Sequence, residues 1–280
     1  MNNKKLTIFF IVILSIITIL LTIFFISLLT NGGNFGYFKI GSSYKVSEEL
    51  IIDETFSNHF SEIIIDSDAS DVLIKTGNDN EVRVLVYGDK DKVSLDTNDN
   101  NMHIKTTSKV CIGLCFSTTL YKVEVYLPQN YDKKVVINNK YGDISVGELS
   151  NLILEIDMDA GDLEAGSIYK GVINNAYGDI KIDNVNDITV TNNYGDIKIK
   201  NVNYYMDINA DCGDISIDNI NIMKNSSINN NLGDISLGKT NEVYINAKTS
   251  LGDTKVTNNY PKSDVNLNIT NNCGDIKVNN

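Results

Sequence analysis

The sequence predicts an all-β protein: a right-handed parallel β-solenoid (β-helix) of about eight or nine rungs with an N-terminal β cap, preceded by one transmembrane helix. Three observations carry that expectation. The word Gly-Asp-Ile, or a close variant, recurs through the second half of the chain. Around each copy, apolar and polar residues alternate with period two. A charge-free run of 24 residues, "LTIFFIVILSIITILLTIFFISLL", stands near the N-terminus after Lys4 and Lys5.

The apolar run occupies residues 6–29. As an α-helix it extends about 36 Å, enough to cross a hydrocarbon core of about 30 Å with some tilt. It is longer than the apolar part of a secretory signal, and "LLTNGGNFGYF" has no A-x-A cleavage pattern. No cysteine follows closely, which argues against a lipoprotein signal. The expected element is an uncleaved signal anchor, with a cleaved signal peptide as the alternative. Lys4 and Lys5 place residues 1–5 on the cytoplasmic side. A linker at 30–49 then leads into an extracytoplasmic domain, divided into an N-terminal β region and cap (50–134) and a repeat solenoid (135–280).

The repeat is anchored by Gly142, Gly161, Gly178, Gly195, Gly213, Gly233, Gly252 and Gly274, with gaps of 19, 17, 17, 18, 20, 19 and 22 residues. Periods near 20 residues point to a solenoid, whose units bury their apolar faces against neighbours. Two and four residues after the glycine stand mostly Ile, Leu and Val, from Ile144 and Val146 to Ile276 and Val278. Five and seven before it stand residues such as Ile137 and Val135, or Ile269 and Leu267. This is strand patterning with β-branched enrichment on one face. Each repeat therefore holds two short strands joined at the glycine. Stacked at about 4.8 Å per rung, eight rungs give a rod of roughly 35–40 Å. Right-handed winding follows from the usual hand of parallel crossovers.

Three residues before the glycine stand Asn139, Asn175, Asn192, Asn230 and Asn271, with Met158, Ala210 and Thr249 at the remaining places. Their parity is inward, and the expectation is an asparagine ladder bonding amide to amide up the coil. Upstream, "SEIIIDSDASDVLIK" fits the same template through Ile63, Ile65, Ser67, Ser70, Asp71, Val72 and Ile74. Between 76 and 134 the template fails, and the segment reads as hairpin-like strands that cap the coil and protect its edge. The last repeat ends at Asn280 with no evident second cap, which leaves end-to-end pairing open.

With these repeats in view, and with "YKVEVYLPQNYDKKVVINNKYGDISV" (121–146) leading from a strand ending in Leu-Pro into the first rung, the chain resembles the bacterial "putative adhesin" family. These surface domains of unknown function are built of G-D-[IL]-x-[IV] strand repeats. The resemblance covers about 50–280. It implies a β-solenoid and a bacterial cell-envelope location, in some cases alongside envelope-stress gene sets. It implies no established activity and no agreed catalytic residues.

The repeated aspartates, Asp143, Asp162, Asp179, Asp196, Asp214, Asp234, Asp253 and Asp275, admit two readings. The first is structural: glycine turns the corner and Asp accepts a backbone N–H. The second is a carboxylate ladder that binds Ca²⁺. The known calcium β-roll, however, repeats every nine residues as G-G-x-G-x-D-x-U-x. Enzyme chemistry is poorly supported. A glycosidase needs one distinguished carboxyl pair, whereas here every turn carries an equivalent aspartate. The one arginine, Arg83, and both histidines, His59 and His103, lie outside the eight-glycine region. No G-x-S-x-G, H-E-x-x-H or P-loop occurs.

Tyr141, Tyr177 and Tyr194 precede their glycines and read as a structural aromatic ladder or, if exposed, a sugar-binding strip. Cys212 and Cys273 share that column three rungs apart, about 14 Å, too far for a disulfide. Cys111 and Cys115, in "VCIGLCF", form a possible disulfide if the loop between them is tight. Net charge is −12, which argues against nucleic-acid partners. No cofactor and no resident metal are expected.

The functional expectation is a non-catalytic, membrane-anchored adhesin or cell-envelope binding protein. Its partners would be the membrane, through one helix, and a cell-wall glycan or an envelope protein. An envelope-stress signalling accessory acting through a membrane partner is the alternative, and a polysaccharide-acting enzyme the third reading.

Overall fold

The computed structural model describes residues 34–35, 38–39, 45–57, 60–77, 80–98, 100–108, 119–257 and 259–279. The tail 1–5, the apolar run 6–29, most of the linker, His59 and the Cys111–Cys115 pair lie outside them. Among the described residues, no helix is long and apolar enough to cross a membrane. The chain divides into two units. In the first, Asn34–Phe35 and Phe38–Lys39 form a short antiparallel ladder. The second, Val46–Val110 with Thr119–Asn280, carries the repeats.

The repeats form an all-β coil in which like strands pair in parallel, column upon column. Before each glycine, Val135 stacks on Leu154, Leu154 on Gly171, and Gly171 on Ile188. After it, Ile144 stacks on Leu163, then Ile180, then Ile197. The inward members of both columns are buried along the coil, except Ala247, Thr254 and Val256 of the Gly252 repeat. Burial of each large aliphatic contributes about 1.5–3 kcal/mol, an upper figure before chain entropy. Two strands per repeat are not the whole coil, because a third face follows. Leu149, Ile168, Val185, Val202 and Ile220 stack there as another buried column. The words "IDNV", "IKNV" and "IDNI" recur at the glycine spacing and carry this face.

The repeats do not stack in chain order at either end. Glu62–Ser67 lies between Lys134–Tyr141 and Asn101–Thr106, parallel to both. Its companion Ser70–Thr76 lies between Ile144–Val146 and Thr119–Leu127, again parallel to both. The segment after 76 thus supplies two strands parallel to the coil as well as antiparallel ones. Met102 and Ile104, and Val123 and Val125, point inward with the same period of two. Outside them the pairing turns antiparallel, through Val93–Thr97 on one face and Glu81–Tyr87 with Leu50–Ser57 on the other.

Within this cap Glu124 is 4 % exposed. Burial opposes its ionisation, but bonds from Lys122, from the Tyr126 hydroxyl (2.7 Å) and from Lys75 (3.2 Å) outweigh it and hold the carboxyl at about 2. A carboxyl depressed from 4.5 to about 2 adds about 3 kcal/mol. That stability is complete above about pH 4.5 and is lost as the pH falls toward 2. Glu124→Gln is expected to cost about 3 kcal/mol at neutral pH and to flatten this acid limb. Urea titrations at several pH values check it, and an unchanged limb would contradict the assignment.

At the C-terminal end the expected order is corrected. Asn266–Cys273 pairs with Ser226–Leu232 on one side and with Tyr244–Leu251 on the other. Ile276–Val278 likewise lies between Ile235–Thr240 and Thr254–Val256. The last repeat is therefore inserted, and the Gly252 repeat forms the end. The side chains explain the choice. Inward positions of the end repeat hold Ala247, Thr249 and Thr254, where the last repeat holds Ile269, Asn271 and Ile276. Smaller and more polar residues suit an end open to water. That end also has a partial cap: Asn259 Oδ1 accepts from the Ile245 N–H (2.7 Å) and its Nδ2 donates to the Ile245 carbonyl (2.9 Å). One side chain thereby takes the place of a neighbouring strand at Ile245.

Candidate functional site

The glycine corners build the most regular surface of the molecule. All eight glycines have φ between +116° and +146°. At each corner the peptide after the glycine turns its N–H toward the neighbouring repeat, and a carboxylate meets it. Asp143 N–H donates to Asp71 Oδ1 (3.1 Å), Asp162 to Asp143 (2.9 Å), Asp179 to Asp162 (2.8 Å) and Asp196 to Asp179 (2.8 Å). The row continues with Asp214 onto Asp196 (3.0 Å), Asp234 onto Asp214 (2.8 Å), Asp275 onto Asp234 (2.8 Å) and Asp253 onto Asp275 (2.8 Å). Asp71, whose glycine is replaced by Ser70, begins the row. Each aspartate except the last accepts one neighbouring N–H with its Oδ1.

Along the ladder each of these Oδ1 atoms is engaged by a backbone N–H of the neighbouring repeat. Among the described residues, no group of three or more His, Cys, Asp or Glu side chains is arranged to hold a metal. The Asp214 backbone N–H, and then Lys198 (3.1 Å), hold the Asp196 carboxyl below the usual range. The stability this adds is complete above the ordinary carboxylate pKa, about 4, and is lost as the pH falls through the depressed value. Asp196→Ala is expected to cost about 1 kcal/mol, because the Asp214 N–H loses its acceptor. Asp196→Asn keeps an acceptor oxygen and is expected to cost less, with a weaker acid response. Denaturant titration of both variants checks this, and equal losses would show that the charge matters more than the acceptor.

Inside the corner, the buried asparagines bond differently from the expected amide-to-amide ladder. Asn139 Nδ2 donates to the carbonyls of Ser70 (2.9 Å) and Gly142 (3.1 Å), and Asn192 Nδ2 to those of Gly178 (3.3 Å) and Gly195 (2.9 Å). Asn230 and Asn271 reach the carbonyls of Gly213 (3.0 Å) and Gly233 (2.8 Å). The physical reason is that the corner turns glycine carbonyls inward, where a buried side-chain donor must meet them; at Gly274 the Thr249 hydroxyl does so (2.9 Å). A true ladder of side-chain amides does occur, but on the third face. Asn184 donates to Ser167 (3.0 Å), Asn201 to Asn184 (2.6 Å) and Asn219 to Asn201 (2.9 Å).

Beside the aspartates runs an apolar ridge made by the residue preceding each glycine. In spatial order it reads Tyr141, Ala160, Tyr177, Tyr194, Cys212, Leu232, Cys273 and Leu251. Tyr177 and Tyr194 are 58 % and 51 % exposed, and Leu232 and Leu251 are 51 % and 70 %. The two tyrosine rings stack with centroids 5.0 Å apart and planes within 3°. Their outer faces look toward the small neighbours Ala160 and Cys212. The leucines were readable as "NNNLGDI" and "KTSLGDT", but an apolar residue beside a corner carries no sign of being exposed. Cys212 and Cys273 are free. The inserted repeat leaves them two rungs apart instead of three, with Leu232 between. At about 10 Å this is still beyond disulfide reach.

The remaining candidates among the described residues stand apart. His103 Nε2 sits 2.7 Å from Asp66 Oδ2 as a partly exposed pair. Arg83 is held by Asp53 through two bonds of 2.8 and 2.9 Å at the cap surface.

A family model described as Toastrack DUF4097 matches residues 60–280. No curated protein matches the chain. Solved structures that match the chain include a "putative lipid binding protein" of Parabacteroides distasonis. It is 12 % identical with a TM-score of 0.49, covering 84 % of this chain and 99 % of that one. A "putative adhesin" of Bacteroides fragilis is 14 % identical with a TM-score of 0.39, covering 83 % and 98 %. A "putative cell adhesion protein" of Clostridium sporogenes is 11 % identical with a TM-score of 0.34, covering 81 % and 98 %.

Proposed function

This chain belongs to the Toastrack DUF4097 family, and on that premise we propose that it is a non-catalytic cell-envelope binding protein. In this reading a right-handed solenoid of eight or nine rungs is held outside a bacterial membrane by the apolar run 6–29, with the N-terminus in the cytoplasm. Its binding surface is the ridge of Tyr177, Tyr194, Leu232 and Leu251 beside the carboxylate row. One observation carries the reading: stacked, half-exposed tyrosines stand next to regularly spaced hydrogen-bond acceptors.

Such a surface fits an uncharged or amino-substituted wall glycan. Sugar C–H faces rest on ring and aliphatic surface, while hydroxyl or ammonium groups donate to the aspartates. A surface that repeats every rung suits a polymer that also repeats. The same carboxylates repel polyanions, and the net charge of −12 acts in the same direction.

The test is sedimentation of the full chain with isolated wall material. Tyr177→Ala/Tyr194→Ala is expected to weaken binding about tenfold, from about 0.5–1.5 kcal/mol per aromatic contact. Circular dichroism confirms that the coil is retained. Undiminished binding by the double variant would remove the ridge from the reading. Release of sugar fragments from the wall would point to an enzyme instead.

A further inference from the structure

The C-terminal strand pair, Asn266–Cys273 and Ile276–Val278, comes last in the chain yet lies inside the coil. Against the Ser226–Leu232 repeat, Gly233 N–H donates to the Cys273 carbonyl (3.0 Å) and Ile235 N–H to the Asp275 carbonyl (2.8 Å). Against the end repeat, Gly274 N–H donates to the Leu251 carbonyl and Ile276 N–H to the Asp253 carbonyl, both at 2.9 Å. Leu267, Ile269, Ile276 and Val278 fill the core between the two neighbours. The end repeat precedes this pair in the chain, so both neighbours of the slot come before its occupant. With the pair out, Ser226–Leu232 and Ile235–Thr240 keep an unpaired edge, which is a template for strand addition, and the end repeat closes again only on whichever strand pair has entered.

We propose that this strand pair is exchangeable: the slot of one chain accepts residues 266–278 of a second copy of this chain, and reciprocal exchange joins two coils at their Gly252 ends. The slot is selective for this occupant. It takes a glycine stacked between Gly233 and Gly252, an amide donating to the Gly233 carbonyl (2.8 Å, from Asn271) and a carboxylate receiving the Asp253 N–H (2.8 Å, at Asp275). A second copy supplies all three, and the exchange is isologous. The chain's own segment differs from a second copy's only by its connection, 257–265. A short linker of this kind is equivalent to an effective concentration in the millimolar range. Exchange is therefore slight in dilute solution and rises where copies are crowded together.

The experiment mixes the full chain with a fluorescent synthetic peptide of residues 262–280, from about 10 µM to several millimolar, held just below the melting temperature until uptake is constant. Half of the chains are expected to take up peptide near about 1 mM. A peptide carrying Ile269→Asp and Gly274→Ala is expected to enter at least about tenfold less readily, because it buries a charge and crowds the corner. Absence of saturable uptake by folded chain, or equal uptake of the altered peptide, overturns the proposal. Concentrated full chain is further expected to contain a dimer that excess peptide converts to monomer. Absence of that dimer, or its persistence in excess peptide, overturns reciprocal exchange. The Tyr177→Ala/Tyr194→Ala variant is expected to take up peptide unchanged, so loss of the glycan reading leaves this one standing.

Discussion

Gly178→Ala is expected to cost about 4 kcal/mol, whereas Gly147→Ala is expected to change stability by no more than about 0.5 kcal/mol. Gly178 has φ +137°, and a Cβ built there lies 2.0 Å from the Gly161 carbonyl oxygen. Strain from that dihedral is worth about 1–3 kcal/mol, and overpacking adds a similar amount. Neither part relaxes easily. Bonds on both sides of the corner, Gly161 N–H to the Tyr177 carbonyl and Leu163 N–H to the Asp179 carbonyl, both 2.9 Å, hold the repeats at ladder spacing. Gly147 is the control: its φ lies outside the left-handed region, and the nearest atom to a Cβ there is 3.6 Å away. Thermal or urea unfolding of the two variants gives the comparison. Equal losses would mean that glycine at the corner is replaceable and that the stacking argument fails.

Removal of residues 266–280 is expected to expose two repeats, not one. In a coil stacked in chain order, this truncation would strip the last rung and leave the Gly252 repeat bonded to its neighbour. Among the described residues, the removed pair is the only ladder partner of Tyr244–Leu251 and Thr254–Val256. It also covers one edge of Ser226–Leu232 and Ile235–Thr240. Four inward aliphatics are lost, Leu267, Ile269, Ile276 and Val278, worth about 6–12 kcal/mol in gross burial before the entropy of ordering the segment is subtracted. At two inward places the end repeat holds Ala247 and Thr254 where every other glycine repeat holds Ile, Leu or Val, so it has less apolar surface with which to restack. Amide exchange on the truncated chain is expected to lose protection across 244–256 by at least about a thousandfold. Protection in the Gly178 and Gly195 repeats should persist, because solenoid stability is carried between neighbours. Retained protection at 244–256 would show that this repeat closes directly on Ser226–Leu232.

Much of the coil was legible in the residues. The glycine spacing gave the period, alternation gave the strands, and parity marked Asn139, Asn175, Asn192, Asn230 and Asn271 as inward. The structural reading of the aspartates was also legible as a backbone acceptor, although its partner lies one repeat away and not in the same turn. The asparagine partners were missed because parity says which way a side chain points and not what it meets. Carbonyls turned inward at the corner appear only once the turn is built. The ridge was half legible: the tyrosines drew attention as aromatics, while Leu232 and Leu251 carry no mark in the sequence that sets them apart from inward aliphatics.

The sequence by itself determined the repeat, the corner and the residues of the inner columns, because these depend on dihedral preference and on period-two patterning within a single turn. Only the tertiary structure decided which repeats touch. Every repeat offers nearly the same edge, so local pattern cannot choose between neighbours, and the choice falls to side chains meeting across the coil. Large aliphatics at Ile269 and Ile276 gain most where both sides are covered, while Ala247 and Thr254 lose little at an end. The last repeat therefore sits inside and its predecessor outside.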